Sequence, residues 1–170
     1  MRVVVLLVCL LFGAGVAHAE LTDDAPRLVD GYRNGKRIKL RVVQIGWAEA
    51  DVSTARAFRA MQGAAADAGL ELNVWSGFRT HERQTELYAR WRAGYGNPAA
   101  KPGYSNHQSG RALDLVVRNE QIAAWLATNA RRFGFRRTVA NEPWHWEFVK
   151  TKARAKAARG SRSGTRRPRS

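Results

Sequence analysis

One segment of this chain, SNHQSGRALDLVV at residues 105–117, joins a glycine-rich loop to an apolar run. The run at 111–117 is short, rich in Leu and Val and bounded by turn residues, which predicts a strand. Asp114 lies inside that strand, flanked by two leucines. Burying a carboxylate among apolar side chains is costly unless a cation compensates its charge. The segment therefore predicts a strand carrying one buried acid, a short distance after His107.

A second segment, EPWHWE at residues 142–147, places acids and a histidine among bulky aromatic side chains. Its histidine, His145, and His107 both lie in segments unlike an ordinary surface or core. His81 is expected on the exposed first turn of a helix, and no role is assigned to it. The two segments together therefore supply two imidazoles and one unusual carboxylate.

Two imidazoles and one carboxylate are a common ligand set for catalytic zinc, because three protein ligands leave a fourth position open. The only cysteine, Cys9, lies near the N-terminus, so a cysteine-ligated structural site is not expected. Glu142 is the natural general base, and Glu147 is the other candidate. From the residues alone a second interpretation stays open, in which the histidine is an ordinary packed side chain and Asp114 pairs with an arginine.

Outside these segments the pattern predicts strands and helices that do not alternate as regular βαβ units. This favours an α+β fold, with an antiparallel sheet and helices packed on it. In the second helix, Leu87, Tyr88 and Trp91 are predicted to face inward. The elements in order are strand 37–45 after a turn at 34–35, helix 51–68, strand 70–76, helix 80–93, loop 94–109, strand 111–117, helix 120–133 and strand 144–149.

The N-terminal 19 residues have the pattern of a signal peptide. Arg2 precedes an apolar run at 3–12, and the small residues Ala17 and Ala19 suit a cleavage site. Such a run is too short to span a bilayer, although an uncleaved anchor is the alternative. We therefore expect export to the periplasmic or extracellular cell-wall space, and a domain at 20–149.

The segment at residues 150–170 holds nine Lys or Arg and no acid, within a chain of net charge +15. It lacks large apolar side chains, which predicts a disordered basic tail. Its expected partners are anionic envelope polymers, with nucleic acid as the other usual partner of such charge. A tail that is merely solvated is the alternative, and no stable nucleic-acid or protein partner is predicted.

The two segments resemble signatures of a known enzyme family. Residues 105–114 resemble the Ser-x-His-x-x-Gly-x-Ala-x-Asp signature of VanX- and VanY-type zinc D,D-carboxypeptidases, and 142–145 resemble their Glu-x-x-His signature. Residues 76–80, followed by Gln84, resemble the arginine segment of that family. The resemblance implies the fold of the hedgehog/D-Ala-D-Ala metallopeptidase superfamily and one Zn²⁺ per chain. It assigns zinc ligation to His107, Asp114 and His145, general base catalysis to Glu142, and contact with the substrate carbonyl or carboxylate to Arg79.

Gln84 and Ser105 are further candidates for binding the substrate's terminal carboxylate. A helix-surface position and a loop cap are their respective alternatives. Trp144 and Trp146 are candidates for the pocket wall, with core packing expected for at least one of them. Of these two, Trp144 is the one we assign to substrate binding.

The resemblance implies a zinc-dependent peptidase acting on peptidoglycan stem peptides, most simply a D-alanyl-D-alanine carboxypeptidase that releases terminal D-Ala. An L,D-carboxypeptidase or an endopeptidase would share the same signatures. A catalytically silent, metal-containing wall-binding module is the alternative from another class. Because Glu142 is present beside a full ligand set, an enzyme is favoured over that module.

Overall fold

The computed structural model describes residues 25–149, so the predicted signal peptide and basic tail lie outside the described residues. Two antiparallel sheets and three α-helices form this part of the chain. None of the helices in residues 25–149 is long and apolar enough to cross a membrane. The strands are β1 Arg27–Arg33, β2 Lys36–Ile45, β3 Ala48–Asp51, β4 Val74–Ser76, β5 Ala112–Leu115, β6 Phe135–Arg136 and β7 His145–Phe148, and the helices are α1 Val52–Ala66, α2 His81–Arg92 and α3 Glu120–Asn129.

The N-terminal sheet has the order β1-β2-β3. Its first hairpin turns at Asn34 and Gly35, whose φ angles of 51° and 77° suit a two-residue turn between antiparallel strands. The strand predicted at 37–45 and its preceding turn are confirmed. β1 and β3 were not predicted, so the chain has a second sheet that the sequence pattern did not indicate.

The four-stranded sheet has the order β4-β5-β7-β6, with every pair antiparallel. The predicted α+β architecture is therefore confirmed, although with two sheets instead of one. The strand predicted from Leu70 ends at Ser76 as expected, but its predicted start is wrong, because regular pairing begins only at Val74. Leu72 is buried without being in a strand, so the alternation there reports core-facing side chains in irregular chain.

Helix α1 packs against β2 and β3, and its buried face, which includes Phe58 and Met61, belongs to a hydrophobic core shared with the four-stranded sheet. Asp51 caps its N-terminus by accepting a hydrogen bond from the backbone N–H of Ser53. The predicted helix is confirmed, with its end at Ala66. The helix predicted over 120–133 is wrong in its last turn, because α3 ends at Asn129 and a 3₁₀ turn follows.

Helix α2 begins as predicted after Thr80, whose side chain accepts from the backbone N–H of Arg83. Its predicted inward face is wrong, since Leu87 and Tyr88 are only partly buried and Trp91 is exposed. The fully buried residue of this helix is Gln84. The reason is that α2 borders a cleft and not the hydrophobic core.

Candidate active site

A cleft of about 810 Å³ lies beside α2. This volume falls within the range of about 300–1,000 Å³ that is usual for small-molecule sites. All the residues predicted for ligation, catalysis and substrate binding line this cleft. They are Arg79, Gln84, Ser105, His107, Asp114, Glu142, Trp144 and His145.

Strand pairing and a short 3₁₀ helix bring the three predicted metal ligands together. Asp114 on β5 is the direct cross-strand partner of His145 on β7. His107 lies in a short 3₁₀ helix at Asn106–Ser109, which leads through Gly110 into β5. One ligand atom from each of the three residues lies within 4.8 Å of the others. Both imidazoles are buried, with exposures of only 4% and 7% for His107 and His145.

The far nitrogen of each imidazole is already hydrogen-bonded. His107 Nδ1 lies 2.7 Å from the backbone oxygen of Gly77 and donates to it. His145 Nε2 lies 3.1 Å from Glu147 Oε1. These bonds leave His107 Nε2 and His145 Nδ1 facing Asp114. Hydrogen bonds of this kind orient the rings of metal-ligating histidines and select their tautomers.

The arrangement fits zinc. Zinc binds nitrogen and carboxylate oxygen at about 2.0–2.2 Å, so two ligands of one tetrahedral ion lie roughly 3.4 Å apart. Asp114 Oδ1 lies 3.4 Å from His107 Nε2 and 3.0 Å from His145 Nδ1. A three-residue set with this spacing leaves one coordination position for substrate or water. The donor chemistry and the distances between donor atoms are therefore both consistent with a zinc site.

The charges of the site are strongly interdependent. Burial raises the pKa of Asp114, but hydrogen bonds to His107 and His145 outweigh burial and hold the pKa well below its usual value. Burial lowers the pKa of His145, yet its hydrogen bonds to Asp114 and Glu147 raise it to about 9. Without metal, His145 is therefore protonated at neutral pH and forms an ion pair with Asp114. A metal ion would replace that proton.

Glu142 stands next to the ligand set without being part of it. Its Oε2 atom lies 3.8 Å from His145 Nδ1, the ring nitrogen that faces Asp114. A turn links the two residues, because the backbone N–H of His145 donates to the carbonyl of Glu142. The side chain is 26% exposed on the cleft wall. This position gives Glu142 access to a water molecule in the cleft.

Glu147 occupies a different position from Glu142. It contacts His145 Nε2, the ring nitrogen opposite the one that faces Asp114. Burial raises the pKa of Glu147, but hydrogen bonds to His145, Asn106 and Thr138 lower it to about 2. The contact between Glu147 and His145 was not predicted from the sequence. A signal for it was present, because residues i and i+2 of a strand point to the same face of the sheet.

Arg79 is anchored from three directions. Its guanidinium donates to Gln84 Oε1 at 3.0 Å and to Ser76 Oγ at 3.4 Å, and lies 3.8 Å from Asp114 Oδ2. Burial lowers the pKa of Arg79, and Asp114 opposes that effect. Gln84 also donates from Nε2 to the carbonyl of Ala100 at 2.7 Å. One buried amide therefore joins the guanidinium to the loop at Ala100, which also lines the cleft.

The remaining candidates differ in burial. Ser105 is 9% exposed and precedes the 3₁₀ helix that carries His107. Trp144 is 40% exposed at the cleft, whereas Trp146 is buried in the core with its Nε1–H bonded to the carbonyl of Pro143. His81 is not isolated at the surface, because it stacks on Tyr32 with ring centroids 4.1 Å apart.

A family model described as VanY, D-alanyl-D-alanine carboxypeptidase, matches residues 48–151. A D-alanyl-D-alanine carboxypeptidase of Enterococcus faecalis (strain ATCC 700802 / V583) is 35% identical over 112 residues, covering 49% of this chain and 42% of the relative. Putative carboxypeptidase YodJ of Bacillus subtilis (strain 168) is 31% identical over 125 residues, covering 58% of this chain and 46% of the relative. This chain therefore spans less than half the length of these curated relatives.

Solved structures share the fold. VanYB in complex with D-alanine-D-alanine has a TM-score of 0.56 and 27% identity, covering 72% of this chain and 84% of that one. A mutant of the D,D-pentapeptidase VanY in complex with Zn(II) has a TM-score of 0.57 and 26% identity, and the match covers 77% of this chain and 92% of that one. The LD-carboxypeptidase LdcB has a TM-score of 0.56 and 28% identity, and the match covers 79% of this chain and 73% of that one.

Proposed function

The chain belongs to the VanY D-alanyl-D-alanine carboxypeptidase family, and from this premise we propose that it is a zinc-dependent carboxypeptidase releasing terminal D-alanine from peptidoglycan stem peptides. The observation that carries the proposal is the convergence of the His107, Asp114 and His145 donor set with Glu142 and Arg79 in one cleft. The similarity to a VanY bound to zinc and to VanYB bound to D-alanine-D-alanine supports the choice of metal and substrate.

His107, Asp114 and His145 hold the one zinc ion, which when bound supplies a Lewis acid that polarises the scissile carbonyl and makes water more acidic. Glu142 takes the proton from the attacking water and delivers it to the departing amino group. Glu147 positions His145 by accepting from its Nε2–H, and Gly77 does the same for His107 through its carbonyl.

Arg79 binds the substrate through its fixed guanidinium. If the guanidinium contacts the scissile carbonyl oxygen, it stabilises the negative charge that develops there. If it contacts the terminal carboxylate, it donates two parallel hydrogen bonds to it. Ser105 and Gln84 support the terminal carboxylate, Gln84 in part by holding Arg79 in place. Trp144 forms a wall beside them. Preorganised donors of this kind cost little reorganisation during the reaction.

The proposal is tested by Glu142→Gln, with Glu71→Gln at an exposed position as the matched control. The amide keeps the shape of the side chain and removes the base, so zinc content and substrate affinity should be retained. Turnover should fall by about 10²–10⁴-fold, the usual contribution of general acid–base catalysis. Zinc content, peptide affinity and hydrolysis of pentapeptide muropeptides are measured on the same preparations. Loss of zinc, or undiminished hydrolysis, would contradict the role of Glu142.

The masses of the products identify the bond that is cut. Loss of one D-alanine from a pentapeptide supports the D,D-carboxypeptidase, and loss from a tetrapeptide supports the L,D-carboxypeptidase, which the similarity to LdcB makes the second candidate. Cleavage inside the stem would indicate an endopeptidase. Binding of all these peptides without any cleavage by the wild type would indicate a silent wall-binding module.

Export and tail binding complete the proposal. We place the peptidase domain at 20–149, between a signal peptide at 1–19 and a basic tail at 150–170 that is attracted to anionic envelope polymers. Deleting 151–170 should leave hydrolysis of small peptides intact and weaken binding to cell-wall sacculi. The difference should shrink with added salt, because exposed charges are screened beyond about 8–10 Å. Equal sacculus affinity at low salt would remove this role.

A further inference from the structure

Exposed aromatic side chains are concentrated on the catalytic cleft. Trp75 is 79% exposed, Tyr104 57% and Trp144 40%, and all three line the cleft. Exposure alone does not mark a function, because Trp47 is 94% exposed and lies outside the cleft lining. Trp75 is the most exposed of the three, and it leaves most of a large amphipathic ring system in water.

A local irregularity of β4 accounts for the placement of Trp75. Successive residues of a regular strand face opposite sides, so Trp75 and Ser76 would be expected to diverge. Val74 pairs with Leu115 but Ser76 pairs with Asp114, so two steps along β4 match one step along β5. A bulge of this kind re-aims side chains, and bulges are frequent beside active sites. Both Trp75 and Ser76 line the cleft as a result.

The cleft has more room than a terminal dipeptide requires. Its volume of about 810 Å³ is near the upper end of the usual range for small-molecule sites. Aromatic side chains in its lining are interspersed with polar ones such as Thr80, Asn97 and Asn106. A protein partner would favour a contiguous apolar patch. Aromatic faces set among hydrogen-bonding groups suit a sugar, whose ring has an apolar C–H face and a polar rim of hydroxyl groups.

We propose that Trp75 is a stacking platform for a sugar ring of the glycan strand, so that the cleft prefers stem peptides still attached to their glycan. This inference rests on the proposed function and names the substrate class of the same site. The C–H face of the sugar packs on the open face of the indole, while its hydroxyl groups stay in contact with water or with the polar lining. Arg79 and the metal ligands bind the peptide end of the same substrate.

The test compares a disaccharide-pentapeptide with the same pentapeptide lacking sugar, using the zinc-loaded full chain. Wild-type kcat/KM should be about tenfold higher for the sugar-bearing substrate, because one good aromatic contact strengthens binding by about that factor. In Trp75→Ala this ratio should fall toward one, mainly through KM. Trp75→Phe should keep most of the preference because it keeps a ring. Trp47→Ala is the matched control and should keep the wild-type ratio.

Affinity of the two substrates is measured by calorimetry alongside turnover, so that the two proposals can fail separately. A wild type that binds the sugar-bearing peptide more tightly but cuts neither would defeat the proposed function and support the sugar site. Equal affinity and equal kcat/KM for both substrates would overturn the sugar site. So would an equal loss on both substrates in Trp75→Ala, which would assign Trp75 to the peptide.

Discussion

Asp30 in the N-terminal sheet has two basic neighbours and Asp114 in the four-stranded sheet has three, and the surroundings of the two carboxylates differ. Asp30 on β1 is partly exposed, accepts from Arg37 and pairs with Lys39 at 2.7 Å, both on β2. The hydrogen bond from Arg37, followed by that from Lys39, lowers the pKa of Asp30 to about 2. Such exposed pairs typically contribute little to stability.

Asp114 has imidazoles as partners and lies in the cleft. A guanidinium or an ammonium keeps its proton throughout the ordinary pH range, whereas an imidazole can release one and bind a metal through the same nitrogen. A carboxylate among basic side chains is therefore a candidate metal site only where some of those side chains can exchange a proton for the ion. The four-stranded sheet carries the candidate site, whereas the N-terminal sheet contributes no side chain to the cleft lining.

The N-terminal sheet contributes through its backbone. The carbonyl of Glu49 accepts from the N–H of Phe78, and the N–H of Asp51 donates to the carbonyl of Gly110. These bonds fasten β3 to the two segments that flank His107 and Arg79. A Cβ at Gly77 would overlap the Glu49 carbonyl, which shows how closely the backbones approach. The N-terminal sheet therefore supports the site, although β1 and β2 lie outside the matched family residues.

The largest difference between the sheets is expected from Asp114→Asn and Asp30→Asn. The first removes an anionic ligand, so zinc content and hydrolysis should both be lost. The second removes a partly exposed charge that lies outside the cleft lining, and zinc content and hydrolysis should both stay at the wild-type level. Metal analysis and muropeptide hydrolysis measure the contrast. Full zinc content in Asp114→Asn would contradict the ligand assignment, and loss of zinc in Asp30→Asn would contradict the separation of roles.

A smaller effect is expected from Glu147→Gln. The amide keeps the shape but weakens the hydrogen bond that orients His145, so zinc affinity should fall by about 10–100-fold, as is typical for such partners. Competition with a chelator measures the affinity, and Glu71→Gln serves as control. Unchanged zinc affinity combined with lost turnover would instead make Glu147 the general base.

The support role of the N-terminal sheet is tested with two glycines. Gly77→Ala forces β3 and the Gly77 segment apart, and should destabilise the fold by about 1–3 kcal/mol, as overpacking usually does. It should also weaken zinc binding, because the Gly77 carbonyl orients His107. Gly63→Ala, on an open face of α1, should be neutral or stabilising by up to about 1 kcal/mol. Denaturant unfolding measures both, and equal stabilities would contradict the close packing.

The smallest effect concerns pH. His145 has a folded-state pKa of about 9, raised above its usual 6.5, so its charged form stabilises the metal-free fold. That contribution is complete below about pH 6.5 and is lost as the pH rises through about 9. Chelator-treated protein should therefore melt at a lower temperature at pH 9 than at pH 6.5. Zinc-loaded protein should show less dependence, because its His145 is already deprotonated. A flat profile without metal would contradict the ion pair with Asp114.

Local sequence patterns determined much of the architecture. The turn at Asn34 and Gly35, the caps at Asp51 and Thr80, and the strand β2 all follow from preferences of neighbouring residues. Prediction from local patterns failed where tertiary contacts overrode the preferences of neighbouring residues. β1 contains Gly31, which weakens a strand signal but is required because a Cβ there would lie only 2.5 Å from the backbone oxygen of Gln108.

The sequence by itself determined the family signatures and therefore which side chains to consider for metal binding and catalysis. Only the tertiary structure decided how they meet. Pairing of β5 with β7 sets Asp114 opposite His145, and contacts from Gly77 and Glu147 turn the two imidazoles toward it. The physical reason is that a local pattern reports local backbone preference and burial. Strand register, ring orientation and the bulge that turns Trp75 into the cleft depend on contacts between residues far apart in the chain.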